Sequence, residues 1–163
     1  MTYLFYISAA VAVVSTLLVV TRTHAVHALL YLVVSLLSLG VIFFVLGAPF
    51  VAALEVIIYA GAIMVLFVFV IMMLNLGAQA AEHEQQLFEP GVWIGPSILC
   101  AVLVVELLYL LTSARQPVSA APIAPKLVGI ALFGPYVIGV ELASMLLLAG
   151  LVGAYHLGRP HKH

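Results

Sequence analysis

Of 163 residues, 66% are apolar and only 7% charged, with a mean hydropathy of +1.34; a soluble domain carries roughly 25% charged residues, so a water-facing surface is excluded. Five Lys and Arg stand against six Asp and Glu, with six His, which leaves no basic patch to grip nucleic acid or anionic lipid. Cys100, the single cysteine, can form no internal disulfide and heads no CxxC metal site, and its apolar run marks it as a small buried hydrophobe.

A bilayer core about 30 Å thick needs about 20 mostly apolar residues per helical span, and five spans nearly exhaust the chain. The first predicted helix covers about 3–20; its uncharged start and the Arg22 after it distinguish it from a secretory signal. A polar turn, Arg22 to His27, leads to a second helix over about 28–46, which Gly47-Ala48-Pro49 breaks. The third covers about 51–76, roughly 39 Å at 1.5 Å per residue, longer than the hydrocarbon is thick, so it tilts or distorts. After a polar stretch with Glu82, Glu84 and Glu89, Pro90 to Trp93 opens a fourth helix, about 92–112, with Trp93 suited to an interfacial belt. A Pro/Ala/Ser linker from Arg115 to Pro125 precedes the last span, about 135–157. Gly134-Pro135 interrupts that run, which leaves two options: a helix beginning at Pro135 after an interfacial segment, or one kinked helix. The fold class is therefore all-α: a single polytopic membrane domain, 1–163, of five transmembrane helices. Placing the amino terminus outside puts Arg22, Arg159 and Lys162 inside against Arg115 and Lys126 outside, the orientation that the positive-inside rule favours.

Chemistry in such a chain must come from the few polar groups at membrane depth, because a carboxylate at the bilayer centre costs at least ~2.5–3.5 kcal/mol. Glu55, Glu106 and Glu141 qualify, and Tyr59 lies at i+4 from Glu55 on one helix face. Acids at similar depth suit a proton or cation path, since each carboxyl can hold and release a proton. Two blander readings stand beside that one: Glu55 and Glu106 lie close enough to helix ends to reach the headgroups or to hydrogen-bond a neighbouring helix, and Tyr59 can serve packing alone. His24, His27, His156, His161 and His163 form no metal set. No glycine-rich nucleotide loop, no nucleophile beside a base and no inverted repeat is present, so the chain reads as a subunit of something larger. Within the third helix, Ala60-Gly61-Ala62 puts a flexible glycine in the middle of an overlong span; it marks either a close helix contact or a moving part running from Tyr59 to Val65.

The segment Ala53-Leu54-Glu55-Val56-Ile57-Ile58-Tyr59-Ala60-Gly61-Ala62-Ile63-Met64-Val65-Leu66-Phe67-Val68-Phe69-Val70 closely resembles the third helix of the J subunit of bacterial NADH:quinone oxidoreductase, respiratory complex I, the counterpart of the mitochondrial sixth NADH dehydrogenase subunit. His27 to Leu32, Val92 to Pro96, Phe133 to Tyr136 and Val140 to Leu147 support the resemblance, which covers Tyr3 to about Gly158. It implies a proton-translocating assembly in a bacterial inner membrane, with subunits A, H, K and N as neighbours. It also implies no redox cofactor in this chain, with FMN, iron–sulfur clusters and quinone in other subunits. In that family the third helix switches between α and π-bulged forms around the tyrosine matching Tyr59, which makes Tyr59, Ala60, Gly61, Ala62 and Val65 gate candidates; the proton-path candidates, from the acids at membrane depth, are Glu55, Tyr59, Glu141 and Glu106. No family role falls on Glu106. The alternative is a membrane subunit of a multisubunit cation/proton antiporter or related hydrogenase-type complex.

Overall fold

In the computed structural model, the described residues are 2–23, 25–74, 90–113 and 122–158. They are helical with short turns and contain no strand, and five helices are long and apolar enough to cross a membrane. The chain divides into two compact units, Met1–Pro122 and Ile123–His163.

In the first unit, α1 (Thr2–Thr21) and α2 (Ala25–Val45) pack along their lengths. The turn between them is shorter than the sequence suggests: α2 already runs at Ala25, because Ala25, Val26 and Ala28 extend the apolar helix, and His27 lies half-buried in its first turn. At the far end of α2, Gly47 takes φ 83°, its amide reaches the Phe44 carbonyl at 3.0 Å and the Ala48 amide reaches Phe43 at 2.9 Å. This pair of bonds is a Schellman cap, which uses glycine because a left-handed residue with a Cβ is strained. Pro49 then restarts the chain, its missing N–H costing nothing at a first helical turn.

Helix three comprises α3 (Pro49–Leu54), a π-helical segment (Glu55–Ile63) and α4 (Met64–Leu74). The Met64 amide reaches back to the carbonyls of Tyr59 and Gly61. The bond to Tyr59 spans five residues, the π register, where an α-helix spans four. The expected distortion of the overlong span thus takes the form of a widened stretch; the predicted end at Asn75-Leu76 lies outside the described residues. The fourth spanning helix, α5 (Pro90–Ser113), carries Pro96 within it, buried, as membrane helices tolerate when neighbours cover the freed carbonyl.

The second unit holds α6 (Pro125–Leu132), a turn over 133–136 and α7 (Val137–Gly158). Gly134-Pro135 therefore divides the last apolar run into two helices instead of bending one. A Cβ at Gly134 would lie 2.7 Å from the Ile130 carbonyl oxygen, so the chain turns this tightly only with glycine there.

Candidate functional site

Glutamates occupy three different settings. Glu106 on α5 is 5% exposed; its Oε2 accepts a 2.8 Å hydrogen bond from Ser8 Oγ of α1, and its Oε1 is buried with no partner among the described residues. It does not reach a headgroup, because the carboxyl turns inward between helices. One turn further along the same contact, Val11 of α1, Val34 of α2 and Leu103 of α5 form the apolar core. Ser8 with Glu106 and Val11 with Leu103 set an antiparallel register, since the number rises on α1 as it falls on α5. Beyond that layer a second polar group gathers: Thr16 Oγ1 and Ser35 Oγ lie 2.9 Å apart, and Ser35 Oγ also donates to the Ala12 carbonyl at 3.3 Å. Ser38 Oγ donates to the Ser35 carbonyl at 2.6 Å, and Ser15, fully buried, leaves its Oγ without a partner. At the end of this bundle Arg22 stands 5.5 Å over the ring of buried Tyr31, whose hydroxyl occupies the space a side chain at Gly95 would need.

Glu55 is only half-buried, and Tyr59 is 47% exposed; both lie in the π segment, which contains no buried residue. Gly61 sits in the widened turn, where a Cβ would come within 3.3 Å of the Val56 carbonyl oxygen. Just beyond, Val65 and Leu66 are exposed, at 67% and 62%. Of the gate candidates, Tyr59, Ala62 and Val65 are thus exposed on this chain, while Ala60 and Gly61 are half-buried. An apolar groove of about 520 Å³ flanks the segment, lined by Gly40 of α2, Val56 and Ile57 of the π segment, and Cys100 and Leu103 of α5. Cys100 is partly buried at that groove. Glu141 lies in the second unit with its side chain exposed, and its backbone carbonyl accepts from Ser144 Oγ at 2.7 Å. Among the described residues no group of three His, Cys, Asp or Glu comes together as a metal site.

A π segment inside an acid-bearing third helix, in a five-span chain, is the arrangement on which the sequence resemblance turns. The chain matches the family described as NADH-ubiquinone/plastoquinone oxidoreductase chain 6 over residues 15–157. It belongs to that family. Among its relatives, NADH-quinone oxidoreductase subunit J of Pseudomonas aeruginosa is 59% identical, over 98% of this chain and 97% of its own length. The subunit J of Escherichia coli strain K12 is 56% identical over 99% of this chain and 89% of its own. That of Buchnera aphidicola subsp. Schizaphis graminum is 50% identical over 99% and 100%. In the chain 6 family the enzyme is the NADH-quinone oxidoreductase assembly, of which such a chain is one membrane subunit.

In this chain 6 member the π region and Glu106 are both visible in the sequence, Glu106 without a setting for it. Ser8, Ser15, Thr16, Ser35 and Ser38 do not stand out there. The signal available is thin: Ser8 and Ser15 lie seven residues apart, which puts them on one face of α1, but serine is common enough in membrane helices that the spacing alone names no partner.

Proposed function

We propose that this chain couples quinone reduction elsewhere in complex I to proton transfer, through a third helix that changes between π and α hydrogen bonding. The observation that carries this reading is the π segment Glu55–Ile63, set between two α-helical stretches and burying none of its residues. Changing a turn by one residue at 3.6 residues per turn rotates the remainder of the helix by about 100°. Such a rotation exchanges which of Ile63, Val65 and Leu66 meets the neighbouring subunit, so an apolar side chain enters or leaves a water path there. The groove beside Val56 and Ile57 supplies room for the backbone to move without displacing α5. Glu55 and Tyr59 ride in the moving segment, where their carboxyl and hydroxyl groups are placed to pass a proton when the path is wet; Glu141 and Glu106 complete the candidate acids.

The resemblance supports a place in the membrane arm beside subunits A, H, K and N, with FMN, iron–sulfur clusters and quinone held by other subunits and none by this chain. The full-length likeness to subunits named for NADH-quinone oxidoreductase favours this reading over the antiporter alternative. The charge distribution supports a periplasmic amino terminus and a cytoplasmic carboxyl terminus in a bacterial inner membrane. In a Cys100→Ser background, Thr23→Cys is then expected to react with an impermeant thiol reagent only after the inner face is opened; reaction in intact cells reverses the orientation.

The function is tested with Gly61→Leu and Val65→Gly in the assembled enzyme, measuring quinone reduction and proton pumping together. A switching helix three loses rate or coupling at normal assembly. Wild-type rates and coupling in both variants make helix three a packing element.

A further inference from the structure

The α1–α2–α5 bundle holds two buried oxygens with no partner among the described residues, at two levels on either side of the Val11–Leu103 contact. The upper one is Glu106 Oε1, beside the Ser8–Glu106 hydrogen bond. The lower one is Ser15 Oγ, on the same face of α1 as Ser8 and, by the antiparallel register of Ser8 with Glu106 and Val11 with Leu103, about level with Leu99. Between them lies the cluster of Val11, Val34 and Leu103.

We infer that each of these oxygens binds a buried water, so that this chain carries two internal water sites outside helix three, one on each side of the Val11–Leu103 contact of α1 with α5. At Glu106 either state of the carboxyl calls for one. Ionised, Oε1 is an acceptor that lacks a donor; carrying the proton, it is a donor that lacks an acceptor. Water serves both, and no other group of the described chain reaches the atom. Ser15 can likewise both give and accept, and it does neither within the chain, although a membrane-helix serine ordinarily bonds back to the carbonyl a turn earlier, as Thr16 does to Ala12 at 2.8 Å. Leaving such atoms bare is costly, and buried waters are the usual remedy.

Space exists alongside. An apolar groove of about 440 Å³ runs along the α1–α5 contact, lined on α1 by Ile7, Ala10, Val11 and Val14, which bracket Ser8 in sequence, and on α5 by Leu99. A second groove, of about 260 Å³, is lined by Thr16 and Ser35, next to Ser15 along the chain. The grooves border residues next along the chain to Ser8 and Ser15, and fully buried Ser38 of α2, at i+4 from Val34 on the same face, adds a polar group beside the apolar cluster. None of the residues at these two sites lies in helix three.

The test is a cryo-electron-microscopy map of the assembled enzyme, at a resolution that shows ordered waters elsewhere in the membrane arm. Density is expected within about 2.6–3.2 Å of Glu106 Oε1 and of Ser15 Oγ, with none between Val11 and Leu103. In Ser15→Ala the lower density is lost and the upper one stays; in Glu106→Gln, which keeps a hydrogen-bonding group at the same place, the upper density stays. Bare oxygens at both places in a map that resolves other buried waters overturn the proposal, as does a side chain of another subunit reaching either atom.

Discussion

The α1–α2–α5 bundle and the π segment of helix three each carry a glutamate at membrane depth, and they treat it in opposite ways. The bundle turns Glu106 inward, gives one of its oxygens to Ser8 and closes an apolar layer over it. Helix three leaves Glu55 half-covered in a stretch whose backbone has left the α register and whose neighbours Val65 and Leu66 point away from the chain. Lipid supplies little drive for helices to associate, so tight packing and interhelical hydrogen bonds hold a membrane bundle, and both are concentrated in the first region. The second packs on α2 yet buries none of the residues of its π segment. The rearrangement proposed for helix three would then occur where few residues are buried.

Substitutions in the bundle are therefore expected to cost assembly and stability, and those in helix three to cost coupling. Gly95→Val is expected to have the largest effect, because its side chain takes the place of the Tyr31 hydroxyl, and Tyr31 is 4% exposed with Arg22 over its ring. Overpacking of this kind costs on the order of 1–3 kcal/mol, occasionally more. The amount of assembled enzyme and its thermal stability should both fall, and the milder Gly95→Ala should be partly rescued by Tyr31→Phe, which removes the oxygen in the way.

Ser8→Ala comes next. It strips Glu106 of its one hydrogen bond inside the chain and leaves the carboxyl buried, at a cost of about 1–3 kcal/mol read as a lower melting temperature of the complex. Glu106→Gln, which still accepts from Ser8, should cost less than Ser8→Ala. A melting temperature unchanged in Ser8→Ala would show that the Ser8–Glu106 contact does not hold the bundle.

The smallest stability effect is expected at Gly40, where a Cβ would lie 3.2 Å from Val56 Cγ2 at the start of the π segment. The valine has the groove beside it and can yield a few tenths of an ångström, so Gly40→Ala should leave stability within about 0.5 kcal/mol while altering the ratio of protons pumped to quinone reduced. A loss of stability as large as that of Ser8→Ala, with coupling intact, would erase the distinction between the two regions.

The reasons some of this is legible in the sequence and some is not are physical. Span count comes from apolar length alone, and the overlong third run with Ala60-Gly61-Ala62 at its centre announces a distortion there. The break at Gly134-Pro135 is visible, but whether a kink or a turn results depends on how closely the chain can approach the Ile130 carbonyl, which is a matter of three-dimensional contact. The Ser8–Glu106 pair is hidden for a further reason. In a soluble helix the polar face shows which way the helix is rotated; in a membrane helix the lipid side and the protein side are both apolar, so α1 and α5 give no such indication and the partner of Glu106 emerges only once they are placed against each other. The outward direction of Val65 is hidden by the same cause, since an apolar residue in a membrane helix can face lipid, a partner or the interior.

The proposed switching of helix three is met most directly by determining the assembled enzyme in two conditions, at rest and during turnover with NADH and quinone, at a resolution that traces the backbone of residues 49–74. A switching helix three shows π hydrogen bonding over 55–63 in one population and α bonding in another, with Val65 and Leu66 rotated by about 100° between them. One unchanged π segment in every population of the turning-over enzyme would contradict it.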